Sequence, residues 1–464
     1  MIPMSLAEIA AVVGGTLDGE DVLVTGPAFL DSRSPEPDGL FVAFAGEHVD
    51  GHGFAAAAVD GGAAAVLGSR PTGVPTVVVE DAERALQVLA GHVLRRLRAL
   101  NPALKVVALT GSQGKTSTKD LLAVVLSAPE GGAAPTVATY GSFNNELGLP
   151  LTVLRADPAT RFLVLEMGAR GIGHIAELCA VAPPDIGLVL NVGRAHLGEF
   201  GSQEAIAKAK GEIVEGLGRD GVAVLNLDDP LVAAMSTRTR APVRTFGHAV
   251  GSDVRLHDVG TDELGRVRFD LQHSTHREHV RMQVLGEHQA INAAAATAVA
   301  LLLGVPLDRI ARSLESVASL SRWRMELHER ADGLVVINDA YNANPDSMRA
   351  ALETLAGIGR RTGRPTVAVL GEMRELGETA DAEHRALGAL ARDLGVTRVV
   401  AVGPGARPIA DADESVLYAE SVDEATRAVR NNVDGSEVVL VKASRALRLE
   451  RVADALLNVE GTDQ

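Results

Sequence analysis

The strongest chemical signal lies in residues 105–122, KVVALTGSQGKTSTKDLL, where an apolar run gives way to Gly111-Ser112-Gln113-Gly114-Lys115-Thr116-Ser117. Glycines let a backbone wrap closely around phosphate oxygens, and the free amides of a following helix turn point at the same anion. Lys115 can reach the β- and γ-phosphates of a nucleotide, and the Thr116 hydroxyl can bind Mg²⁺. The full phosphate-loop pattern asks for glycine where Leu109 stands, so only the shorter G-x-x-G-K-[ST] form is present. The competing reading, a glycine-rich turn with a solvated lysine, is disfavoured because strand, loop and helix signals follow in the required order.

Further candidates sit where other apolar runs end. Glu166 closes FLVLEM, and His196 follows IGLVLNVG. The carboxyl ends of parallel strands border the crevice where such sheets bind ligands, and a carboxylate suits a hard cation. Either residue alone is more often an ion-pair member or a structural histidine, and only a sheet edge shared with Lys115 raises them. Lys208 and Lys210 lie in AIAKAKGEIVEGL. The simplest reading has both solvated and paired with Glu204 and Glu212, although a primary amine is open to covalent modification in a way a guanidinium is not. Asp339 follows the apolar VVIN and could accept from a ribose hydroxyl, while Asn342 and Asn344 crowd the next turn. The single cysteine, Cys179, lies in an apolar run and reads as a buried structural thiol.

The elements that must position these residues alternate. Short strands without polar alternation are expected at 106–110, 162–167, 185–192 and 222–226, with helices at 115–127, 172–181 and 205–216 between them, which is the pattern of a parallel sheet covered on both faces. Residues 253–284 alternate polar and apolar, as an antiparallel edge does. A second alternation runs from about 325, with strands at 335–338, 366–370, 398–402 and 437–442 and helices at 345–356 and 382–393. Asn344-Pro345 supplies a cap and a first-turn proline. Ahead of both, residues 1–80 read as a small mixed unit joined onward by a helix over 82–100. The fold class is therefore α/β in three domains: a small N-terminal α/β domain (1–84), a central P-loop parallel-sheet domain (85–320) and a C-terminal Rossmann-like domain (321–464).

Composition bounds the partners. The 464 residues carry a formal charge of −16, which argues against nucleic acid and against an anionic membrane surface. No apolar stretch is long enough to cross a bilayer, and no signal peptide is evident, so a cytoplasmic protein without membrane insertion is expected. Of the 44 basic residues only six are lysines, at 105, 115, 119, 208, 210 and 442.

Taken together the motifs resemble the Mur ligases of peptidoglycan synthesis. The likeness rests on DSRSPEPDGLFVAFAGEHVDGHGF (31–54), TGSQGKTSTK (110–119), NNELGLPLT (144–152), LEMGARGIGHI (165–175), NVGRAHLGEFGS (191–202), AKAKGEI (207–213), GEHQAINAAAA (286–296), NDAYNANPDSM (338–348), LGEMRELG (370–377) and VKASRALRLE (441–450). The DNPR block of the branch that adds diaminopimelate or lysine is missing, and DAYNANP resembles the branch that adds a dipeptide. The resemblance implies an ATP-dependent amide ligase, working as a monomer, that joins D-alanyl-D-alanine to a UDP-linked muramyl tripeptide through an acyl phosphate. It implies that Gly111, Ser112, Gln113, Gly114, Lys115, Thr116 and Ser117 bind ATP phosphates, and that Asn292 and Asp339 contact the adenosine. Thr116, Glu166, His196 and a carbamylated Lys210 would serve Mg²⁺, with Lys115, Glu166, His196 and Lys210 as the catalytic set. Ser32 and Arg33 would belong to the uridine diphosphate site, and Asn144, Asn145 and Glu146 to a substrate-facing loop. Gln113 stands where a small residue is commoner in the family, and Ala443 where glycine is usual. The alternatives are another ligase of the superfamily, amino-acid-adding or folylpolyglutamate synthase-like, or a nucleotide-binding regulatory protein without catalysis.

Overall fold

The computed structural model describes residues 1–46, 49–127, 135–141, 143–193, 200, 202–317, 319–320, 322–374, 376–411 and 413–458. His196 lies outside the described residues. The chain divides into two compact units. One comprises Met1–His257, Leu271–Glu278 and Ile291–Ser313, and the other Asp258–Asp270, His279–Ala290 and Leu314–Gln464.

The first unit opens with a five-stranded sheet ordered Thr16–Asp18, Thr76–Val78, Ala65–Gly68, Leu40–Val42, Ala28–Phe29. Its first pair is antiparallel and the remainder parallel. The helix Ala82–Leu100 follows, capped by the Asp81 carboxylate, which accepts from the Glu83 and Arg84 amides. Leu86, Leu89, Val93 and Leu97 recur at helical spacing on its buried face, so the amphipathic stripe lies on the core.

The central parallel strands run Val243–Gly247, Val222–Asn226, Ile186–Val189, Lys105–Thr110, Phe162–Glu166, Thr136–Ala138. Leu163, Val164, Leu165, Val106, Val107 and Ala108 are all buried, the signature of a sheet covered on both faces. Register does the positioning. Glu166 pairs with Leu109 and Val189 with Thr110, so the residues following all three strands emerge at one sheet edge. The polar segment expected as an edge forms Val254–Thr261, Arg266–His273 and His276–Leu285 at the end of the same sheet.

The second unit holds a six-stranded sheet ordered Glu326–Glu329, Val335–Asp339, Val438–Lys442, Thr366–Gly371, Arg398–Val402, Leu417–Ala419, parallel after its first pair. Asn344 caps the helix Pro345–Thr362 in a reciprocal capping box with Ser347. That helix runs past the expected end at 356, because Gly357 is tolerated within it and the left-handed stop comes only at Gly363 (φ 68°). The helix expected from 172 starts instead at His174, since Gly173 (φ 99°) cannot be a helical residue.

Candidate active site

The Lys105–Thr110 strand delivers the chain into a loop whose geometry depends on glycine. Gly114 has φ 80°, and a Cβ there would overlap the Asn292 amide oxygen. Asn292 is buried on the helix His288–Leu302, so that helix packs directly against the loop. Asn191, at the neighbouring strand end, fixes the loop from the other side. Its Oδ1 accepts from the Gln113 amide at 2.9 Å, and its Nδ2 donates to the Gln113 carbonyl at 3.1 Å. Ser112 Oγ accepts from the Gly193 amide at 2.8 Å. Lys115 begins the helix Lys115–Ser127, and its ammonium lies 2.8 Å from the Gly111 carbonyl it donates to, folded across the mouth of the loop. Thr116, the next residue, is buried.

Glu166 is 1% exposed. Its amide donates to Thr139 Oγ1, its Oε1 accepts from Asn144 Nδ2 at 2.7 Å, and its Oε2 is buried with no hydrogen-bond partner among the described residues. An ionised carboxylate oxygen left bare in the interior costs free energy unless a cation or a proton reaches it. Together with the adjacent loop and the Thr116 hydroxyl, oxygen donors of this kind fit a hard divalent cation that also holds phosphate oxygens. Among the described residues no group of three or more His, Cys, Asp or Glu gathers as a self-sufficient metal cage.

Lys208 and Lys210 separate cleanly. Lys208 is exposed, whereas Lys210 is 6% exposed and lines a cavity of about 730 Å³ together with Gly111, Lys115, Asn144, Asn145 and Glu146. Burial, and then the charge of Lys115, pull the Lys210 ammonium down to about 7. The expected pairing with Glu212 does not form. Glu212 instead accepts from the Gly173 and Ala176 amides, tying the helix Gln203–Glu215 to the start of His174–Val181. The turn of Gln203–Glu215 that carries Lys210 is gripped from behind by Arg238, which donates to the Ala207 and Lys208 carbonyls at 2.9 and 2.7 Å and to Glu215. Gly211 explains itself here, since a Cβ at that position would overlap the Arg238 guanidinium.

The remaining sequence candidates lie elsewhere. Ser32 and Arg33 do not line the cavity; Arg33 is exposed and folds back onto Asp31 at 2.8 Å, while neighbouring Leu30 does line it. In the second unit Asp339 is buried and held by Lys442 Nζ at 2.6 Å, with the Met325 amide on its other oxygen. Burial pushes its carboxyl up, against the Lys442 charge that pulls it down. Ala443 is fully buried against Gly371, where an added Cβ would lie 2.6 Å away, so the methyl absent from one strand end makes room for the one present at the other. Cys179 is buried beside Met167 and its thiol is pushed up to about 12 by burial, as a structural cysteine should be. Sequence reasoning missed Thr139 and Arg238, whose neutral or surface-type side chains act through backbone groups, and gave no role to Arg170 and His174, which line the cavity and lie within the block 165–175.

Three family models match the chain: Mur ligase family, catalytic domain, over residues 29–101; Mur ligase middle domain over 109–300; and Mur ligase, glutamate ligase domain, over 323–445. A UDP-N-acetylmuramoyl-tripeptide–D-alanyl-D-alanine ligase of Mycobacterium tuberculosis is 45% identical over 98% of both chains. A solved structure of MurF from Acinetobacter baumannii is similar with a TM-score of 0.85 at 30% identity, covering 98% of this chain and 99% of that one. A MurF ligase from Thermotoga maritima solved in complex with ADP has a TM-score of 0.74 at 32% identity, covering 93% and 97%. The chain belongs to the Mur ligase family, on the branch of the UDP-N-acetylmuramoyl-tripeptide–D-alanyl-D-alanine ligases.

Proposed function

We propose that this chain is the ATP-dependent ligase that joins D-alanyl-D-alanine to UDP-N-acetylmuramoyl-tripeptide in peptidoglycan precursor synthesis. The observation that carries the reading is the convergence of Gly111, Lys115, Lys210 and the 144–146 loop on one cavity at the carboxyl edge of a parallel sheet. A carboxylate and a γ-phosphate repel each other, so the chain's task is to neutralise charge and hold the reactants in line. The loop amides and Lys115 bind the phosphates. The tripeptide carboxylate attacks the γ-phosphorus, ADP leaves, and an acyl phosphate results. The dipeptide amine then attacks that carbonyl and phosphate departs, with the amine's surplus proton lost to solvent or a basic side chain. Thr116 and Glu166 would hold Mg²⁺, which when bound adds positive charge at the phosphates. Lys210, whose ammonium burial and the Lys115 charge pull down to about 7, has a neutral amine within reach near neutral pH and is suited to carry a carbamate as the further anionic ligand. His196 keeps its proposed place in that set. Gln113, Ser117, Asn292 and Asp339 are assigned to the nucleotide, and Ser32, Arg33, Asn144, Asn145 and Glu146 to the UDP-linked substrate.

The domain boundaries proposed with this function are 1–84, 85–320 and 321–464, and the working state is a cytoplasmic monomer. No helix among the described residues is long and apolar enough to cross a membrane. Release of ADP by the purified protein is the test. Sustained turnover should require both the UDP-linked tripeptide and D-alanyl-D-alanine, and ADP formed without the tripeptide, or formed over many turnovers at a rate that ignores D-alanyl-D-alanine, overturns the assignment.

A further inference from the structure

A buried cation on the phosphate-loop helix takes no part in the chemistry described so far. Lys119 is 3% exposed on Lys115–Ser127, one turn beyond Lys115. Its ammonium is closed, pairing with the Asp120 carboxylate at 2.6 Å and donating to the Thr139 carbonyl at 2.7 Å. An ammonium satisfied in this way meets no ligand itself. What it holds is the point where the strand Thr136–Ala138 ends. That strand stays in register with Phe162–Glu166 only as far as the pair Ala138 and Val164. Thr139 carries the pairing further, its amide donating to the Val164 carbonyl at 3.0 Å and its hydroxyl accepting from the Glu166 amide at 3.0 Å. The chain then turns away and returns at Asn144, whose side chain holds Glu166 Oε1 and whose carbonyl accepts from the Gly168 amide at 2.7 Å. Thr139 and Asn144 thus grip Glu166 from the two sides of one turn, and Lys119 fixes the root of that turn.

Thr116 and Glu166, both assigned to Mg²⁺ above, sit on different elements, the first turn of a helix and the end of a strand. Mg²⁺ demands near-ideal octahedral geometry, so the separation of two such ligands has to be held closely. We propose that Lys119 is a positioning residue for that pair, locking the Glu166 strand end, through Thr139, to the helix that carries Thr116. The path is continuous: one turn of helix from Thr116 to Lys119, the Lys119–Thr139 hydrogen bond, and the Thr139–Glu166 hydrogen bond. Groups behind a metal ligand orient it, and removing one costs roughly ten- to a hundredfold in metal affinity. The residue type suits the task even in a chain that favours arginine. A guanidinium brings a planar fork of five N–H donors into a buried space, whereas an ammonium brings three that rotate to the acceptors at hand.

The inference rests on the Mg²⁺ placement within the ligase reading, and its test needs no ligation. Binding of the unhydrolysable ATP analogue AMP-PNP is measured by calorimetry in EDTA and in Mg²⁺, without tripeptide. The proteins are the wild type, Lys119→Met, Thr139→Val, Thr139→Ser, Glu166→Gln, and the first two variants each combined with Glu166→Gln. Mg²⁺ should tighten binding to the wild type by about tenfold or more, and Lys119→Met and Thr139→Val should each lose about tenfold of that tightening. Their affinity in EDTA should match the wild type, which also shows that they fold, and Thr139→Ser, which keeps the hydroxyl, should behave as the wild type. Combined with Glu166→Gln, neither should lower the tightening below that of Glu166→Gln alone, because the relay acts only through Glu166. Thr139→Val cuts the relay without touching a buried charge and decides the outcome if Lys119→Met does not fold. Undiminished tightening overturns the inference, as does an equal loss in EDTA or a full further loss on top of Glu166→Gln. A wild type that Mg²⁺ does not tighten overturns it together with the Mg²⁺ placement. ADP release that ignores the tripeptide overturns the ligase reading and leaves this inference standing.

Discussion

The two units each bury a lysine and a strand-end carboxylate, and treat them in opposite ways. In the second unit Lys442 and Asp339 lie on adjacent parallel strands, in register, and close on each other at 2.6 Å. In the first unit, among the described residues, Lys210 faces a cavity without a partner and Glu166 keeps one oxygen bare although Asn144 satisfies the other. A closed pair neutralises itself and fixes the turn that follows; the Lys442 ammonium also holds the Asn342 carbonyl at 2.8 Å. Open charges carry a standing desolvation cost that only a ligand removes. Burial alone therefore does not mark a functional charge, but burial without a partner does.

The comparison can be broken by substitution. The largest effect is expected for Lys115→Ala, which should lower the ADP-release rate by roughly a thousandfold, the scale of one lost transition-state cation, with little change in Tm. Glu166→Gln should follow closely. Next comes Lys442→Met, which strands the buried Asp339 carboxylate and should cost about 3–5 kcal/mol in urea unfolding, with Asp339→Asn in the same chain recovering much of it. A normal stability for Lys442→Met would erase the contrast between the units. Gly211→Ala should cost about 1–3 kcal/mol by displacing Arg238, and should lower activity beyond that because the displaced turn carries Lys210.

At neutral pH the smallest change in stability is expected at Lys210, and its pH dependence is the most diagnostic. Lys210→Met should retain or gain stability near neutral pH while losing activity, and a short carboxylic acid supplied to Lys210→Ala should restore part of the rate. The unfolded chain holds the Lys210 proton up to about 10.5, whereas the native state releases it near 7. Wild-type stability relative to Lys210→Met should therefore rise from pH 7 towards 10.5 and be flat below 7. A flat difference throughout would mean that Lys210 is solvated after all.

Much of the site was legible because its signals are local. Residues 105–122 carry strand, loop and helix in one stretch, and the helix Lys115–Ser127 begins and ends where the sequence places it. Asn344 and Pro345 likewise mark a helix start by themselves. What local pattern cannot show is pairing across the chain. Lys442 and Asp339 are 103 residues apart and meet only through strand register, while Arg238 reaches Gly211 across a turn no periodicity predicts. Nor could spacing tell Lys208 from Lys210: two positions on one helix point 200° apart, and which of them faces the core depends on the sheet beneath. The pairing expected of Glu212 failed for the same reason, since two backbone amides at a helix start were nearer than any lysine.

The central claim is that the cavity joins carboxylate and amine by way of an acyl phosphate. Tripeptide labelled with ¹⁸O in its terminal carboxylate, incubated with ATP and D-alanyl-D-alanine, tests it directly by mass spectrometry of the released phosphate. One labelled oxygen should pass to phosphate for each amide bond formed; unlabelled phosphate released alongside the amide product would rule the acyl phosphate out.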